Sequence, residues 1–179
     1  MYMTTRKFNI IAAFSDKDRG IGHDGKLPWS IKEEMEYFSK VTKTTRNPQL
    51  RNAIIMGRKT FESINSKPLR GRLNICISST AEPGITNTVF YCRTLDDAIR
   101  LASDHDSIEN TFIIGGEAVY KQAIEHPLCD KLFVSVVKCN PDVTFDTFFP
   151  EINSDIYKLY QEFDICSNVR GIVYTRKQI

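Results

Sequence analysis

The spacing of apolar residues changes period several times along the chain, and each change marks an element. Short apolar or alternating runs at residues 9–14, 53–56, 73–77, 89–91, 111–114 and 131–138 predict strands. Two longer alternating segments, around 156–165 and 171–177, flank the turn-like "SNVRG" and predict a C-terminal hairpin. Between the earlier strands the period lengthens, predicting helices over 31–43, 59–65, 95–103 and 117–125. Thr94 with Asp97 three residues later forms a capping box for the third helix. His126-Pro127 ends the fourth, because a residue before proline avoids helical geometry. Strands alternating with helices predict an α/β fold. Its central sheet is expected to be mostly parallel, with about eight strands, the antiparallel hairpin at its end and about four flanking helices.

One polar residue breaks this pattern. In the first helix Ile31, Met35, Phe38 and Val41 predict a buried face, and Glu33 and Glu36 point away from it. At ~100° per residue, Glu34 lies about 60° from Ile31 and about 40° from Phe38. A carboxylate therefore falls inside an apolar stripe, shortly after Pro28-Trp29.

In a parallel α/β sheet, ligands bind beyond the carboxyl ends of the strands. Three such junctions suit an anion. In "TFIIGGEAVYKQAI" a buried strand ends at Gly115-Gly116 and a helix starts at once, so backbone N–H groups and the helix dipole face any bound phosphate. A tight turn that needs glycine is the plainer reading. In "AIIMGRKTFESI" Gly57 is followed by Arg58, Lys59 and Thr60; basic residues at a helix start oppose its dipole unless an anion offsets them. Solvated surface charges explain them equally well. "ICISST" ends a third strand with Ser78, Ser79 and Thr80, and Arg93 follows the next strand. Together the junctions suit an extended ligand with several phosphates, such as a dinucleotide, although neither a Walker loop nor a GxGxxG fingerprint is present.

Composition narrows the class. The 179 residues are 41% hydrophobic and 26% charged, an ordinary globular balance with room for a real core. A net charge of +2 gives no reason to expect nucleic acid or a membrane as partner. "FNIIAAF" follows two basic residues, but the charged "SDKDRG" stands where a signal peptide needs its cleavage site, so a first strand is expected there. No apolar run approaches a membrane span. The five cysteines are scattered, odd in number and without CxxC spacing, which suits reduced thiols in the cytoplasm. His23, His105 and His126 lack metal-ligand spacing, so no metal site is expected. No GxSxG elbow occurs.

With these residues in hand, the chain resembles the dihydrofolate reductase family. The resemblance runs from Phe8 onward through "IIAAFS", "GIGHDGKLPW", "EEMEYF", "IIMGRKTFESI", "PLRGRLNICIS", "TLDDAI", "FIIGGEAVYKQAI", "KLFVSVV" and "DTFFPEI". Their joint order is specific, and the wording is closer to the eukaryotic branch, or a virus that acquired it, than to bacterial members. The resemblance implies one domain over residues 8–179 after an extension of residues 1–7. It implies NADPH-dependent reduction of 7,8-dihydrofolate, with Glu34 as the catalytic acid, pairing with the pterin N3–H and 2-amino group. It implies that Ile11, Ala12 and Ile114 line the pterin pocket, with Ile114 offering its carbonyl. Met35, Phe38, Ile64 and Leu69 would sandwich the pterin and aminobenzoyl rings, and Arg72 would fork onto the α-carboxylate. "GIGHDGKLPW" matches a lid beside the nicotinamide, with Ile21, Leu27 and Trp29 as contacts. Ala13 and Tyr120 would border that ring. Gly57, Arg58, Lys59, Thr60, Ser78, Ser79, Arg93, Gly115, Gly116, Glu117, Ala118 and Val119 would hold the rest of the cofactor. The Gly-Gly bond is cis in this family, and Lys67-Pro68 stands where a cis proline is common.

Ser135 replaces the threonine that usually supports the acid, Phe61 stands where tryptophan is common, and Ser30 stands where eukaryotic members often have proline. The resemblance also implies a monomeric cytoplasmic enzyme of one-carbon metabolism that binds antifolate inhibitors, and 179 residues are not expected to hold a thymidylate synthase domain as well. One rival reading is a reductase of the same fold acting on a pyrimidine of riboflavin synthesis, against which Glu34 and Arg72 speak. Another is a silent nucleotide-binding module, against which the intact Glu34, Trp29 and Gly-Gly set speaks.

Overall fold

The computed structural model describes residues 6–178, so Met1 to Thr5 of the expected extension lie outside the described residues. The strands are β1 (Phe8–Ser15), β2 (Gly20–Gly22), β3 (Arg51–Gly57), β4 (Arg72–Ile77), β5 (Gly84–Thr86), β6 (Val89–Cys92), β7 (Ile108–Ile113), β8 (Cys129–Val137), β9 (Thr147–Phe148), β10 (Tyr157–Cys166) and β11 (Val169–Arg176). The helices are α1 (Lys32–Lys43), α2 (Arg58–Ser63), α3 (Leu95–Asp104) and α4 (Glu117–Glu125). Among the described residues, nine strands form one sheet in the order β10-β11-β8-β1-β7-β3-β4-β6-β5. The run from β8 to β6 is parallel; β11 and β10 extend it antiparallel at one edge and β5 at the other. The expected count was about eight, and β5 is the addition. A three-residue exposed strand has no period to read. The same holds for β2 and β9, which pair in a separate two-stranded ribbon.

The central strands are apolar on both sides because helices cover both sides. Along β3, Ala53 and Ile55 face one core with Leu95, Ala98 and Ile99 of α3 and Tyr120 and Ala123 of α4. Ile54 and Met56 face the other with Phe61 of α2 and Phe38 and Val41 of α1. Alternation thus sends successive residues to opposite layers. The Thr94 hydroxyl accepts from Asp97 N at 3.1 Å and starts α3, as the capping box predicts. α4 ends at His126, whose backbone is extended ahead of Pro127. The C-terminal turn is tighter than expected: it occupies Ser167 and Asn168, and Val169 already pairs in β11. The Gly115–Gly116 bond is the one cis peptide among the described residues, so Lys67–Pro68 is trans. No helix among them is long and apolar enough to cross a membrane.

Arg6, counted with the extension, is anchored. Its guanidinium donates to the carbonyls of Ile108 (2.6 Å), Ala102 (3.1 Å), Ser103 (3.1 Å) and His105 (3.4 Å), at the C-terminal end of α3. Ala102, Ser103 and His105 offer the carbonyls a helix end leaves without intrahelical partners, and Ile108 opens β7 just beyond.

Candidate active site

The carboxyl ends of β1, β3, β4, β6 and β7 lie at one end of the sheet; Gly57, Ser78, Arg93 and Gly115 follow them there, whereas Arg72 stands at the opposite, amino end of β4. Glu34 sits in the first turn of α1 and is half-buried, whereas Glu33 and Glu36 are exposed. The buried face of α1 differs from the expected stripe. Met35 is 59% exposed, and the line facing the sheet runs through Ile31, Glu34, Phe38, Val41 and the fully buried Thr42. Glu34 therefore occupies the inward position that Met35 was expected to share. Burial pushes its carboxyl above the ordinary range, and no hydrogen bond or neighbouring positive charge offsets that. A carboxylate placed this way is costly unless a ligand supplies donors.

The residues around it come from both layers. Ile11 is buried and joins Phe38, Ile64, Leu69 and Ile114 in the α1/α2 layer. Ala12 points to the α3/α4 layer, with Tyr120, Ile21 and Val119. The Tyr120 hydroxyl donates to the Ile11 carbonyl at 2.9 Å. Burial raises the phenol, and the nearby Glu34 charge raises it further. Tyr120 is thus a neutral donor with its proton committed. Ala13 pairs with Ser135, which is buried on β8, but no hydrogen bond from Ser135 reaches Glu34.

Arg72 is buried at the start of β4, and no acidic side chain among the described residues pairs with it. Its Nη1 donates to the Thr42 hydroxyl at 2.9 Å and its Nε to the Arg70 carbonyl at 3.0 Å. Burial lowers its pKa, as it must for a cation without a counter-charge. A cleft of about 410 Å³ beside it is lined by Arg51, Leu69, Arg70 and Arg72, a strongly cationic set.

The segment that carries Ile21, Leu27 and Trp29 is pinned by the β2–β9 ribbon. Asp146 Oδ2 accepts from Asp24 N at 2.9 Å, and Phe149 N donates to the Arg19 carbonyl at 2.8 Å. Ile21 packs partly buried on the core, and Leu27 is 57% exposed. The Trp29 ring lies 6.1 Å from that of Phe145, and its buried indole N–H has no partner among the described residues. Buried donors are ordinarily satisfied, so this one faces a position for an acceptor.

Beside the ribbon lies the junction of the α2 and α4 starts, a candidate anion cradle. Gly57 N donates to the Gly115 carbonyl at 2.9 Å, bringing the starts of α2 and α4 together. Neither helix start has a side-chain cap. Gly115 has φ +132°, and a β-carbon on Gly116 would stand 3.2 Å from Thr60 Oγ1. Thr60, Val119 and the exposed Ala118 line this junction, and Arg58 and Lys59 stand exposed at its edge. The cradle fits a diphosphate: free N–H groups, no side chain in the way, and positive charge alongside. The Glu117 carboxylate turns elsewhere, accepting from Phe148 N at 2.6 Å.

The expected phosphate cluster divides in two. Arg58 and Ser78 line a cavity of about 280 Å³ together with Glu62, Thr80 and Tyr91. Ser79 and Arg93 are joined by a 2.6 Å bond from Arg93 Nη1 to the Ser79 carbonyl. The Ser78 hydroxyl is turned inward, accepting from Ala81 N at 3.1 Å and Thr80 N at 3.3 Å. Arg58 is paired with Glu62 at 3.0 Å. Sequence reasoning missed Thr42, Glu62 and the Glu117–Phe148 bond. Only Glu62 left a local signal, being four residues after Arg58 on a helix.

The profile of the family described as dihydrofolate reductase matches residues 7–172. The chain belongs to the dihydrofolate reductase family. It is 37% identical over 162 residues to the dihydrofolate reductase of Drosophila melanogaster, covering 89% of this chain and 87% of that protein. It is 38% identical over 180 residues to that of Sus scrofa, covering 97% and 94%. A bifunctional dihydrofolate reductase-thymidylate synthase of Arabidopsis thaliana is 37% identical over 178 residues, covering 95% of this chain but 34% of that protein.

Proposed function

We propose that this enzyme reduces 7,8-dihydrofolate to 5,6,7,8-tetrahydrofolate with NADPH, placing a hydride on C6 and a proton on N5. The observation that carries the reading is Glu34: a half-buried carboxyl with a raised pKa and no partner, at the carboxyl end of the sheet. The pterin N3–H and 2-amino group match such an acceptor as a paired donor. Phe38, Ile64, Leu69 and Ile114 form an apolar wall for the rings, with Met35 at its exposed rim. Arg72 is a buried guanidinium without a carboxylate, which suits the α-carboxylate of the substrate's glutamate.

Gly57, Thr60 and the first turn of α4 would hold the NADPH diphosphate, with Arg58, Lys59, Ser78, Ser79 and Arg93 toward the adenosine phosphate. When bound, the nicotinamide supplies the hydride. Ala13, Ile21, Leu27, Trp29 and Tyr120 would border its ring and keep water out. The raised pKa lets Glu34 hold a proton closer to neutral pH than an exposed carboxyl does, which suits a group that delivers one toward N5. The same reading makes the enzyme a cytoplasmic monomer that feeds one-carbon metabolism and thymidylate synthesis and binds antifolates.

The test is oxidation of NADPH by the purified protein. Consumption that requires dihydrofolate, with tetrahydrofolate as product, is the expected result. Consumption with a ribosylated pyrimidine instead, or none with either, overturns the reading.

A further inference from the structure

Glu117 is an odd residue to find next to a phosphate cradle. It opens α4, where its charge suits the helix dipole but opposes any anion at the same N–H groups. The structure shows where the charge goes. Oε2 accepts from Phe148 N at 2.6 Å, across 31 residues of chain. A backbone N–H that donates to a carboxylate makes a charge-assisted hydrogen bond. Phe148 belongs to β9 and pairs with Gly20 of β2, the strand that contains Ile21 and leads on to Leu27 and Trp29. Its neighbour Phe149 is buried, with its ring 4.9 Å from that of Tyr120 on α4. The Glu117 carboxylate holds the ribbon to the start of α4, and the Phe149 ring and Ile21 pack against the core beside Tyr120.

We infer that Glu117 is a positioning residue that latches the β2–β9 ribbon to the start of α4 and so couples ribbon closure to anion binding there. Latched, the carboxylate is committed to Phe148, and the first-turn N–H groups of α4 stay free for a phosphate. Unlatched, the ribbon no longer holds Ile21, Leu27 and Trp29 beside the cofactor's place, and that loss alone weakens binding; a freed carboxylate would add repulsion of the anion. The inference rests on the reading above that this helix end receives the cofactor's diphosphate.

The test uses the whole chain with Glu117→Ala and Glu117→Gln. Lys17 and exposed Lys26 flank β2, so tryptic cleavage after them, followed by mass spectrometry, reports release of the ribbon. Trp29 is the single tryptophan, so its fluorescence reports NADPH binding without turnover. In Glu117→Ala, cleavage should be roughly three- to tenfold faster and the NADPH dissociation constant should rise by about the same factor. Glu117→Gln keeps an acceptor and drops the charge, so cleavage should return toward the wild-type rate and NADPH should bind no more weakly than to the wild type. Unchanged cleavage in Glu117→Ala overturns the latch. Faster cleavage with unchanged NADPH affinity overturns the coupling. Absence of any NADPH response in the wild type overturns the cofactor reading and the coupling with it, while cleavage still decides the latch. If Glu117→Ala does not fold, Glu117→Gln decides: weaker NADPH binding in that variant overturns the inference.

Discussion

Arg72 Nη1 donates to Thr42 Oγ1 at 2.9 Å, and the same hydroxyl donates to the Phe38 carbonyl at 2.8 Å. The cation is therefore held against the third turn of α1, beside a wall residue of the site. Its charge has no acidic partner among the described residues. Arg72→Leu should raise KM for dihydrofolate roughly 10- to 100-fold, the range of a lost charge-assisted pair. A pterin analogue without the α-carboxylate should show little change in steady-state kinetics. Thr42→Val, which removes the acceptor, should act in the same direction but more weakly. Equal losses for both ligands would show that Arg72 serves the fold alone.

Glu34→Gln tests the acid. It should lower kcat roughly 10²–10⁴-fold at neutral pH, with part of the loss returning in acid, where solvent protonates the substrate. Glu33→Gln and Glu36→Gln, both exposed, should stay near wild type. Stability should move the other way. The folded pKa of Glu34 lies above its unfolded value, so the folded state holds the proton more tightly. Stability from this group is then greatest below the unfolded pKa and declines as pH rises through the folded one. Glu34→Gln should therefore melt higher than wild type at neutral pH, with the gap closing on acidification. A lower melting point across the whole range would contradict that sign.

Cofactor discrimination should depend on Arg58 and Arg93. Each is exposed, and each already has a partner: Glu62 for Arg58 and the Ser79 carbonyl for Arg93. Arg58→Ala or Arg93→Ala should reduce the kcat/KM preference for NADPH over NADH. Glu62→Gln frees Arg58 and should strengthen that preference by a few-fold, since exposed pairs of this kind are worth about 0.2–1 kcal/mol. Comparable kcat/KM for both cofactors in the wild type would remove these side chains from phosphate recognition.

Arg6→Ala should destabilise the fold without touching chemistry. Four carbonyls near the end of α3 lose a shared donor. Water replaces much of it, so the loss should be roughly 0.5–1.5 kcal/mol. The melting point should fall by a few degrees with kcat unchanged.

The order of the elements could be read along the chain because its causes are local. Residues 117–125 were expected to be helical and are, since Gly116 and Pro127 bound the segment on either side. β3, β4 and β7 appeared as apolar runs because helices on both faces demand them. Glu34 stood out for a local reason too: a carboxylate at an inward helical position violates the period around it.

Contacts made by distant parts of the chain decided the rest. α1 turns Thr42 inward and leaves Met35 out because Arg72 and Phe38 need that hydroxyl and Asn52 Nδ2 needs the Thr42 carbonyl at 2.9 Å. β2, β5 and β9 are two or three residues long, and no repeat exists in so few positions. Arg6 meets carbonyls about a hundred residues away, and Glu117 meets Phe148 across another gap. A hydrogen bond depends on where two atoms lie in space, and separation along the chain carries no record of that. Hydrophobic period reports only which side of an element is wet. Which polar group waits on the dry side, and whether it is satisfied there or left open for a ligand, is settled when the layers pack.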